Sequence, residues 1–86
     1  MVLSAYPNPF TTSTTISFNI PPHCKDDAKI EIYNIKGQRI RELKIKIGEA
    51  IWDGKDIYGK QMPSGIYLAK LSIGDESAVK KMILLR

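Results

Sequence analysis

A two-residue alternation of apolar and polar side chains runs through this sequence and constrains its fold more than any other feature. Ile16 and Phe18 alternate with threonine and serine, Ile30 and Ile32 alternate with charged residues, and the same period continues through 65–73. Because successive side chains of a strand point to opposite faces, this period predicts strands with one buried face. No stretch shows a convincing helical period.

Turn signals separate the alternating segments. "NIKGQ" (34–38) and "GDES" (74–77) are typical of tight turns, whereas "DGKDIYGKQMPSG" (53–65) is a loop long enough to cross from one sheet to another. About seven short strands joined in this way predict an all-β protein, an immunoglobulin-like antiparallel β-sandwich. In such a fold we expect Trp52 to anchor the core and Tyr67 to form a tyrosine corner through its hydroxyl group.

The parity of the apolar positions changes in the middle of the chain. Ile40 occupies an even position, whereas Leu43, Ile45 and Ile47 occupy odd positions. An uninterrupted strand would place these two sets on opposite faces of the sheet. The change predicts a β-bulge or a strand break near Arg41–Glu42, followed by a strand that carries the odd set.

The stretch "AYPNPF" near the start of the sequence is incompatible with a helix and with the interior of a sheet. Proline cannot donate a hydrogen bond to a neighbouring strand, so Pro7 and Pro9 belong outside strand interiors. Asn8 precedes a proline and is restricted to extended geometry. We therefore expect this stretch to join a short first strand to the second, with the rings of Tyr6 and Phe10 packed against the end of the sandwich.

The sequence offers no convincing catalytic, cofactor-binding or metal-binding set. His23 and Cys24 are the only residues of their kinds, and adjacent positions suit neither a nucleophile and base pair nor a four-ligand zinc site. Asp53 and Asp56 lack the spacing and the terminal glutamate of a calcium-binding EF-hand loop, so turn roles are expected for them. These observations predict a protein that is not an enzyme and that needs no cofactor.

Size and charge narrow the function further. The 86 residues suffice for a single domain, 1–86. The net charge of +4 comes from scattered lysines and arginines that are not interleaved with aromatic residues, so we expect no nucleic-acid partner. No apolar run is long enough for a membrane span, and no secretory signal peptide is recognisable. If the domain is exported, its signal peptide is expected upstream in a longer parent protein.

The segment "AVKKMILLR" (78–86) reads as a last strand that is apolar on both faces. Met82 and Leu84 point one way, and Ile83 and Leu85 point the other way. Two interpretations remain open for this segment. The strand is either covered on both sides, by this fold or by a neighbouring domain of the parent, or offered to a partner by edge addition or insertion in a groove.

Five stretches in a fixed order carry a family resemblance over nearly the whole chain. They are "YPNPF", "ISF", "IEIYNIKGQRIREL", "WDGKDIYGKQMPSGIYLAKL" and "KKMILLR". In this order they resemble the C-terminal sorting domain, type A, of cargo proteins of the type IX secretion system in Bacteroidetes-like bacteria. The stretch from the tryptophan to "SGIY" also resembles the immunoglobulin-like domain of flagellar hook-capping proteins.

The resemblance implies a sorting signal at the end of a larger secreted protein. The expected partners are the outer-membrane type IX translocon, a surface sortase-like peptidase and the upstream cargo domain, and the expected location is the outer-membrane surface or the extracellular space. The domain would be the substrate of the peptidase and not a catalyst. The family motifs map onto the following residues, which are the expected sorting and recognition positions: Pro7, Asn8, Pro9, Gly65, Tyr67, Lys80, Lys81, Met82, Ile83, Leu84, Leu85 and Arg86.

Two alternatives are compatible with the same fold. An accessory carbohydrate-binding module of a secreted hydrolase would use exposed aromatic rings, for which Tyr6, Tyr33 and Tyr58 are the candidates. Sugar-binding faces usually need a row of such rings, and the sequence does not place these three in a row. A structural spacer would need no binding residues at all.

Overall fold

The computed structural model describes residues 3–19 and 28–86, and within these ranges it contains seven strands. No helix long and apolar enough to cross a membrane occurs in the described ranges. The strands are β1 (Leu3–Tyr6), β2 (Thr14–Phe18), β3 (Ala28–Asn34), β4 (Arg39–Leu43), β5 (Glu49–Trp52), β6 (Gly65–Ile73) and β7 (Glu76–Leu84). The all-β fold with short strands is confirmed.

The strands form two antiparallel sheets. One sheet has the order β1-β2-β5, and the other has the order β4-β3-β6-β7. The loop 53–65 leaves β5 in the first sheet and enters β6 in the second, as the sequence predicted. This arrangement is that of an immunoglobulin-like sandwich whose fourth strand pairs with the larger sheet, and it confirms the predicted fold.

The core lies between the two sheets and is built around Trp52. Its indole ring is fully buried and meets Phe10 and Tyr67 edge to face, at centroid distances of 5.6 and 5.1 Å. Such aromatic pairs contribute about 0.5–1.5 kcal/mol each beyond the burial of their area. Alternation places the remaining core side chains on the inner faces of both sheets: Ile16, Phe18, Ile30, Ile32, Leu43, Ala50, Ala69, Leu71, Ile73, Met82 and Leu84.

The hairpin of β3 and β4 contains a β-bulge, which confirms the one predicted near Arg41–Glu42. Ile32 pairs with Arg41 and Tyr33 pairs with Arg39, so the extra residue of the β-bulge is Ile40, which directly precedes Arg41. A bulge at this position lets the half-buried Ile40 pack against the core beside Leu43.

The predicted continuation of this strand to Ile47 is wrong. Strand β4 ends at Leu43, and Ile47 and Gly48 form a tight turn closed by hydrogen bonds between Lys46 and Glu49. Both turn residues have positive φ, 43° at Ile47 and 75° at Gly48, as a type I′ turn requires. Ile47 is fully exposed at 101%, so no burial offsets the strain of a β-branched residue in this conformation.

Replacing Ile47 with asparagine is therefore expected to stabilise the protein. Asparagine tolerates the left-handed region, so Ile47→Asn should raise the free energy of unfolding by about 1 kcal/mol in urea denaturation. Ile35→Asn is the matched control, because Ile35 is 74% exposed in the turn between β3 and β4 and does not have positive φ. An equal gain in both variants would contradict the strain argument.

Candidate functional site

The first and the last family motifs meet along the outer edge of β7. The Phe10 amide donates to the Ile83 carbonyl at 2.9 Å, and the Leu85 amide donates to the Phe10 carbonyl at 2.8 Å. These bonds form a parallel bridge between Phe10 and Leu84. The backbone of Phe10 thus pairs with the last strand of the four-stranded sheet, although it lies outside any strand of its own.

Asn8 extends this pairing with its side chain. Its Nδ2 donates to the Lys81 carbonyl at 2.9 Å, and its Oδ1 accepts from the Ile83 amide at 3.0 Å. The carboxamide has the donor and acceptor of a peptide group, so it serves β7 as a neighbouring strand would. The Pro7 carbonyl accepts from the buried Thr14 hydroxyl at 2.8 Å, which fixes the segment to the second strand. An edge of this kind is otherwise open to pairing with another chain.

The two aromatic residues that flank this motif differ in their burial. Phe10 is 2% exposed and packs in the core, which confirms its predicted position. Tyr6 is 82% exposed, so the prediction that its ring packs against the sandwich is wrong. Strand alternation accounts for the difference, because Leu3 and Ala5 are the residues of β1 that pack against the core and Tyr6 points to the opposite face.

The doubly apolar character of the last strand now has a structural explanation. Met82 and Leu84 are fully buried in the core. Ile83 lies on the outer face of the sheet, where it is half-buried and pairs with Ile66, which is 43% exposed. Leu85 follows the strand and is 50% exposed. One face of the tail therefore belongs to the core, and the other contributes to a surface.

The three cations of the tail lie in three different environments. Lys80 shares the face of Met82 and is half-buried, whereas Lys81 is exposed on the outer face. Arg86 is fixed to the loop 53–65: its amide donates to Ser64 Oγ at 2.8 Å, its Nε donates to the Met62 carbonyl at 2.7 Å, and its Nη2 donates to the Gly54 carbonyl at 2.7 Å. The guanidinium group is thus used to fix the end of the tail.

The glycine and aromatic motif lies beside the tail on β6. Gly65 pairs with Leu84, and Tyr67 pairs with Met82. The Tyr67 hydroxyl donates to the Pro63 carbonyl at 2.7 Å, which confirms the predicted tyrosine corner, and burial raises the pKa of this hydroxyl. All predicted sorting positions therefore occupy one region, formed by the Pro7–Phe10 segment and the hairpin of β6 and β7.

The remaining polar candidates have local partners or scattered positions. Asp53 accepts from Arg41 at 2.6 Å and from the Lys55 amide, and Asp56 accepts from the amides of Tyr58 and Lys60. The expected turn roles of the two aspartates are thus confirmed. The prediction about His23 and Cys24 concerns residues outside the described ranges.

The three tyrosines proposed for carbohydrate stacking lie on separate elements. Tyr6 belongs to β1 of the smaller sheet, Tyr33 belongs to β3 of the larger sheet, and Tyr58 lies in the loop 53–65. Tyr6 and Tyr58 are exposed, whereas Tyr33 is half-buried. A groove of about 520 Å³ between β4 and β5 is lined by side chains of both charges and by Ile51 and Ile57, without a tyrosine.

An ion-pair cluster occupies the outer face of β3 and β4. Glu31 accepts from Arg39 at 3.0 Å and lies 3.6 Å from Lys29, which also lies 3.8 Å from Glu42. Burial alone would raise the pKa of the Glu31 carboxyl, but the hydrogen bond from Arg39 and the two neighbouring positive charges outweigh it and lower this pKa.

Comparison with known proteins agrees with this arrangement. The family model of the secretion system C-terminal sorting domain matches residues 4–85. No curated protein matches the chain. The matched range therefore includes both the Pro7–Phe10 segment and the last strand, β7.

Two solved structures from Porphyromonas gingivalis are similar to this chain. One is PorZ, an essential bacterial surface component of the type-IX secretion system, with a TM-score of 0.76 and 18% identity over 98% of this chain and 11% of that chain. The other is dimeric latent PorU, with a TM-score of 0.73 and 27% identity over 96% of this chain and 9% of that chain. This chain thus spans a small part of either protein.

The fold and the position of the match define an immunoglobulin-like domain of a kind found within much longer proteins of a secretion system. The family model covers nearly all of the chain, from residue 4 to residue 85. The chain belongs to the secretion system C-terminal sorting domain family, and its function is that of a type IX sorting domain. The family and the function predicted from the motifs are confirmed.

The sequence motifs did not identify every residue of this region. They missed Ser64, Met62 and Gly54, which hold Arg86, because these contacts involve one hydroxyl group and two carbonyl groups in an irregular loop. They also missed Ile66, which completes the outer surface beside Ile83. Alternation in the sequence places Ile66 on the face opposite Tyr67, but only the pairing of β6 with β7 shows that it lies beside Ile83.

Removal of the Asn8 carboxamide should open the edge of β7. Asn8→Ala loses two hydrogen bonds and is expected to lower the free energy of unfolding by about 1–2 kcal/mol. Amide hydrogen exchange should accelerate at Ile83 in particular. Thr12→Ala is the control, since Thr12 is exposed in the same loop and should leave this exchange rate unchanged. Unchanged protection of Ile83 in Asn8→Ala would refute the pairing.

The contact of Arg86 with Gly54 can be isolated by comparing two glycines. Gly54 and Gly59 have similar φ values, 76° and 82°. A Cβ on Gly54 would lie 2.6 Å from Arg86 Nη2, whereas a Cβ on Gly59 would have no neighbouring atom within 4 Å. Both alanine variants should lose about 1–2 kcal/mol from backbone strain. Gly54→Ala should lose about 1–3 kcal/mol more, because it displaces a charged hydrogen bond.

A double-mutant comparison tests this difference. In an Arg86→Met background the guanidinium group is absent, so the two glycine variants should lose equal stability in urea denaturation. A difference that persists in this background would show that Arg86 is not its cause.

The lowered pKa of Glu31 predicts how stability depends on pH. The unfolded-state pKa is about 4.3, so the contribution of Glu31 is fully present above that pH and is lost as the pH falls through the lower folded-state pKa. Between about pH 6 and about pH 3 the wild type should therefore lose more stability than Glu31→Gln in urea denaturation. Equal losses in both proteins would exclude the ion-pair cluster as a source of acid sensitivity.

Proposed function

We propose that this domain is the C-terminal signal of a larger exported protein and is recognised in its folded form by the outer-membrane type IX translocon. A surface sortase-like peptidase would then remove it and attach or release the cargo. The domain acts in this reaction as a substrate and not as an enzyme. Export ends at the outer-membrane surface or in the extracellular space.

The observation that carries this proposal is the interlock of the two end motifs. Asn8 and Phe10 hold the backbone of 81–85, and the loop 53–65 holds Arg86. A linear signal would need no such support, because a flexible peptide can be recognised without a platform. The motif residues Pro7, Asn8, Pro9, Gly65 and Tyr67 therefore act by presenting the tail in one conformation.

The structure also determines how the tail should be tested. Truncation after Val79 removes Met82 and Leu84, whose side chains are fully buried. Loss of buried leucine and methionine side chains costs about 2–5 kcal/mol each, so this truncation unfolds a small domain and does not isolate recognition. A test of sorting must keep the inner face of β7 intact.

A reporter fusion tests the proposal. A signal peptide and a fluorescent protein are joined to residues 1–86 and expressed in a bacterium with a type IX system, and also in a translocon-null strain. We expect fluorescence at the surface or in the medium in the first strain, and periplasmic retention in the second. A mass decrease of the surface form would report removal of the domain by the peptidase.

Two results would argue against this function. Periplasmic retention of the intact, folded fusion in every translocon-positive host would leave a spacer or an accessory module. Equal export in the translocon-null strain would show that another route carries the cargo. The reporter without the domain serves as the control for leakage from the periplasm.

A further inference from the structure

The outer face of the four-stranded sheet has two chemically different halves. On the half formed by β4 and β3, Lys29, Arg39, Glu31 and Glu42 form the ion-pair cluster, with nitrogen to oxygen distances between 3.0 and 3.8 Å. The carboxylates and cations of this half neutralise one another. Such a surface is typical of a solvated sheet face.

The half formed by β6 and β7 has no carboxylate among its own outward side chains, and the nearest one across the strands is Glu31 of β3, which lies opposite Lys70. We call six of its eight outward side chains the outer patch, leaving out Ser72 and Ser77; the six are Ile66, Leu68, Lys70, Val79, Lys81 and Ile83. Cross-strand pairing brings them together, because Ile66 lies opposite Ile83, Leu68 lies opposite Lys81, and Lys70 lies opposite Val79. The outer patch contains four aliphatic side chains, two lysines and no carboxylate.

The outer patch remains accessible in the folded domain. Ile66 is 43% exposed and Val79 is 58% exposed, and Leu68 and Ile83 are half-buried between them. Neither lysine takes part in an ion pair with another described residue. Aliphatic side chains grouped on a strand pair, with cations beside them, are typical of a surface that a partner covers.

From this composition we infer that the outer patch is the docking face for a protein of the export machinery that presents an apolar surface bordered by carboxylates. The inference rests on the proposed sorting function and adds the recognised face and the chemistry of its partner. It assigns a recognition role to Ile66, Leu68, Lys70 and Val79, in addition to Lys81 and Ile83. Carboxylates on the partner complement the two lysines, because neither forms an ion pair with a described residue and Lys81 lies opposite the aliphatic Leu68.

A protein partner fits these side chains better than a lipid surface does. Each lysine near an anionic membrane contributes about 1 kcal/mol, so two give only weak adsorption. Leu68 and Ile83 are half-buried in a flat sheet face and cannot insert into the acyl region as the apolar face of an interfacial helix does. A complementary protein surface can reach them by direct contact.

The outer patch is held in place by the pairing of Asn8 with the edge of β7. Asn8 binds the Lys81 carbonyl and the Ile83 amide, which fixes the backbone of two outer-patch residues. The first motif therefore positions the recognised face without contacting the partner. The first motif thus contributes to sorting indirectly, by holding the outer patch in place.

The test compares two pairs of substitutions that change the charge equally. Lys70→Gln with Lys81→Glu alters the outer patch, and Lys36→Gln with Lys60→Glu alters exposed positions in two loops. Both proteins are made as the full fusion in a host that exports the wild-type fusion. Export should fall about tenfold or more in the outer-patch variant and remain near the wild-type level in the control.

A second pair tests the apolar part and removes dependence on a single variant. Val79→Glu and Ile51→Glu replace exposed aliphatic residues of 58% and 63% exposure, on β7 and on β5. Val79→Glu should reduce export, and Ile51→Glu should not. The melting temperature of each purified domain is measured, so that a loss of export counts only where the fold is retained.

Each outcome bears on the inference. Export of both outer-patch variants at the wild-type level, or an equal fall in the matched controls, overturns it and leaves the sorting function intact. Failure of the wild-type fusion in all hosts overturns both. Binding of the purified domain to phosphatidylglycerol vesicles that is lost with Lys70→Gln and Lys81→Glu, but not with the control pair, would assign the face to a lipid surface and overturn the protein partner.

Discussion

The pairing of the Pro7–Phe10 segment with the edge of β7 joins the first and last motifs of the domain and holds its last strand in place. It satisfies the backbone of the last strand through one side chain, Asn8, and one main-chain residue, Phe10. Because β7 is held on both sides, its inner residues Met82 and Leu84 can complete the core around Trp52. The same contact blocks part of an edge that would otherwise pair with other chains.

This contact divides the tail into parts with different functions. The inward residues Met82 and Leu84 stabilise the sandwich, and Arg86 fixes the end of the chain to the loop 53–65. Lys81 and Ile83 remain on the outer face, where β6 supplies their neighbours. A short motif at the end of a sequence thus combines a folding element with a recognition surface. Substitutions at different residues of the tail therefore test different properties, namely stability of the core, attachment of the tail to the loop 53–65, or recognition.

Local patterns in the sequence were sufficient for most of the fold. Alternation predicted the inner faces of the strands, and the position of Tyr67 at the start of a late strand predicted its corner. The turn at Ile47 was missed because a β-branched residue rarely adopts positive φ, so Gly48 was the single turn signal at this position. The bond between Asn8 and Lys81 joins residues 73 positions apart. Periodicity describes neighbouring residues and carries no information about contacts between distant parts of the chain. The contact of Asn8 with β7 and the grouping of the outer patch are therefore visible only in the folded structure.

If the sorting signal is a folded surface, export must be lost when the domain unfolds, even with the sequence of its tail unchanged. Ile16→Asp buries a charge at a fully buried position of β2 and unfolds the domain while leaving residues 80–86 unchanged, whereas Ile51→Asp places the same side chain on the exposed face of the same sheet. With intact fusion protein verified in the periplasm by immunoblot, the account predicts loss of export for Ile16→Asp and normal export for Ile51→Asp. Export of Ile16→Asp at the wild-type level would show that the tail acts as a linear peptide and would contradict the account.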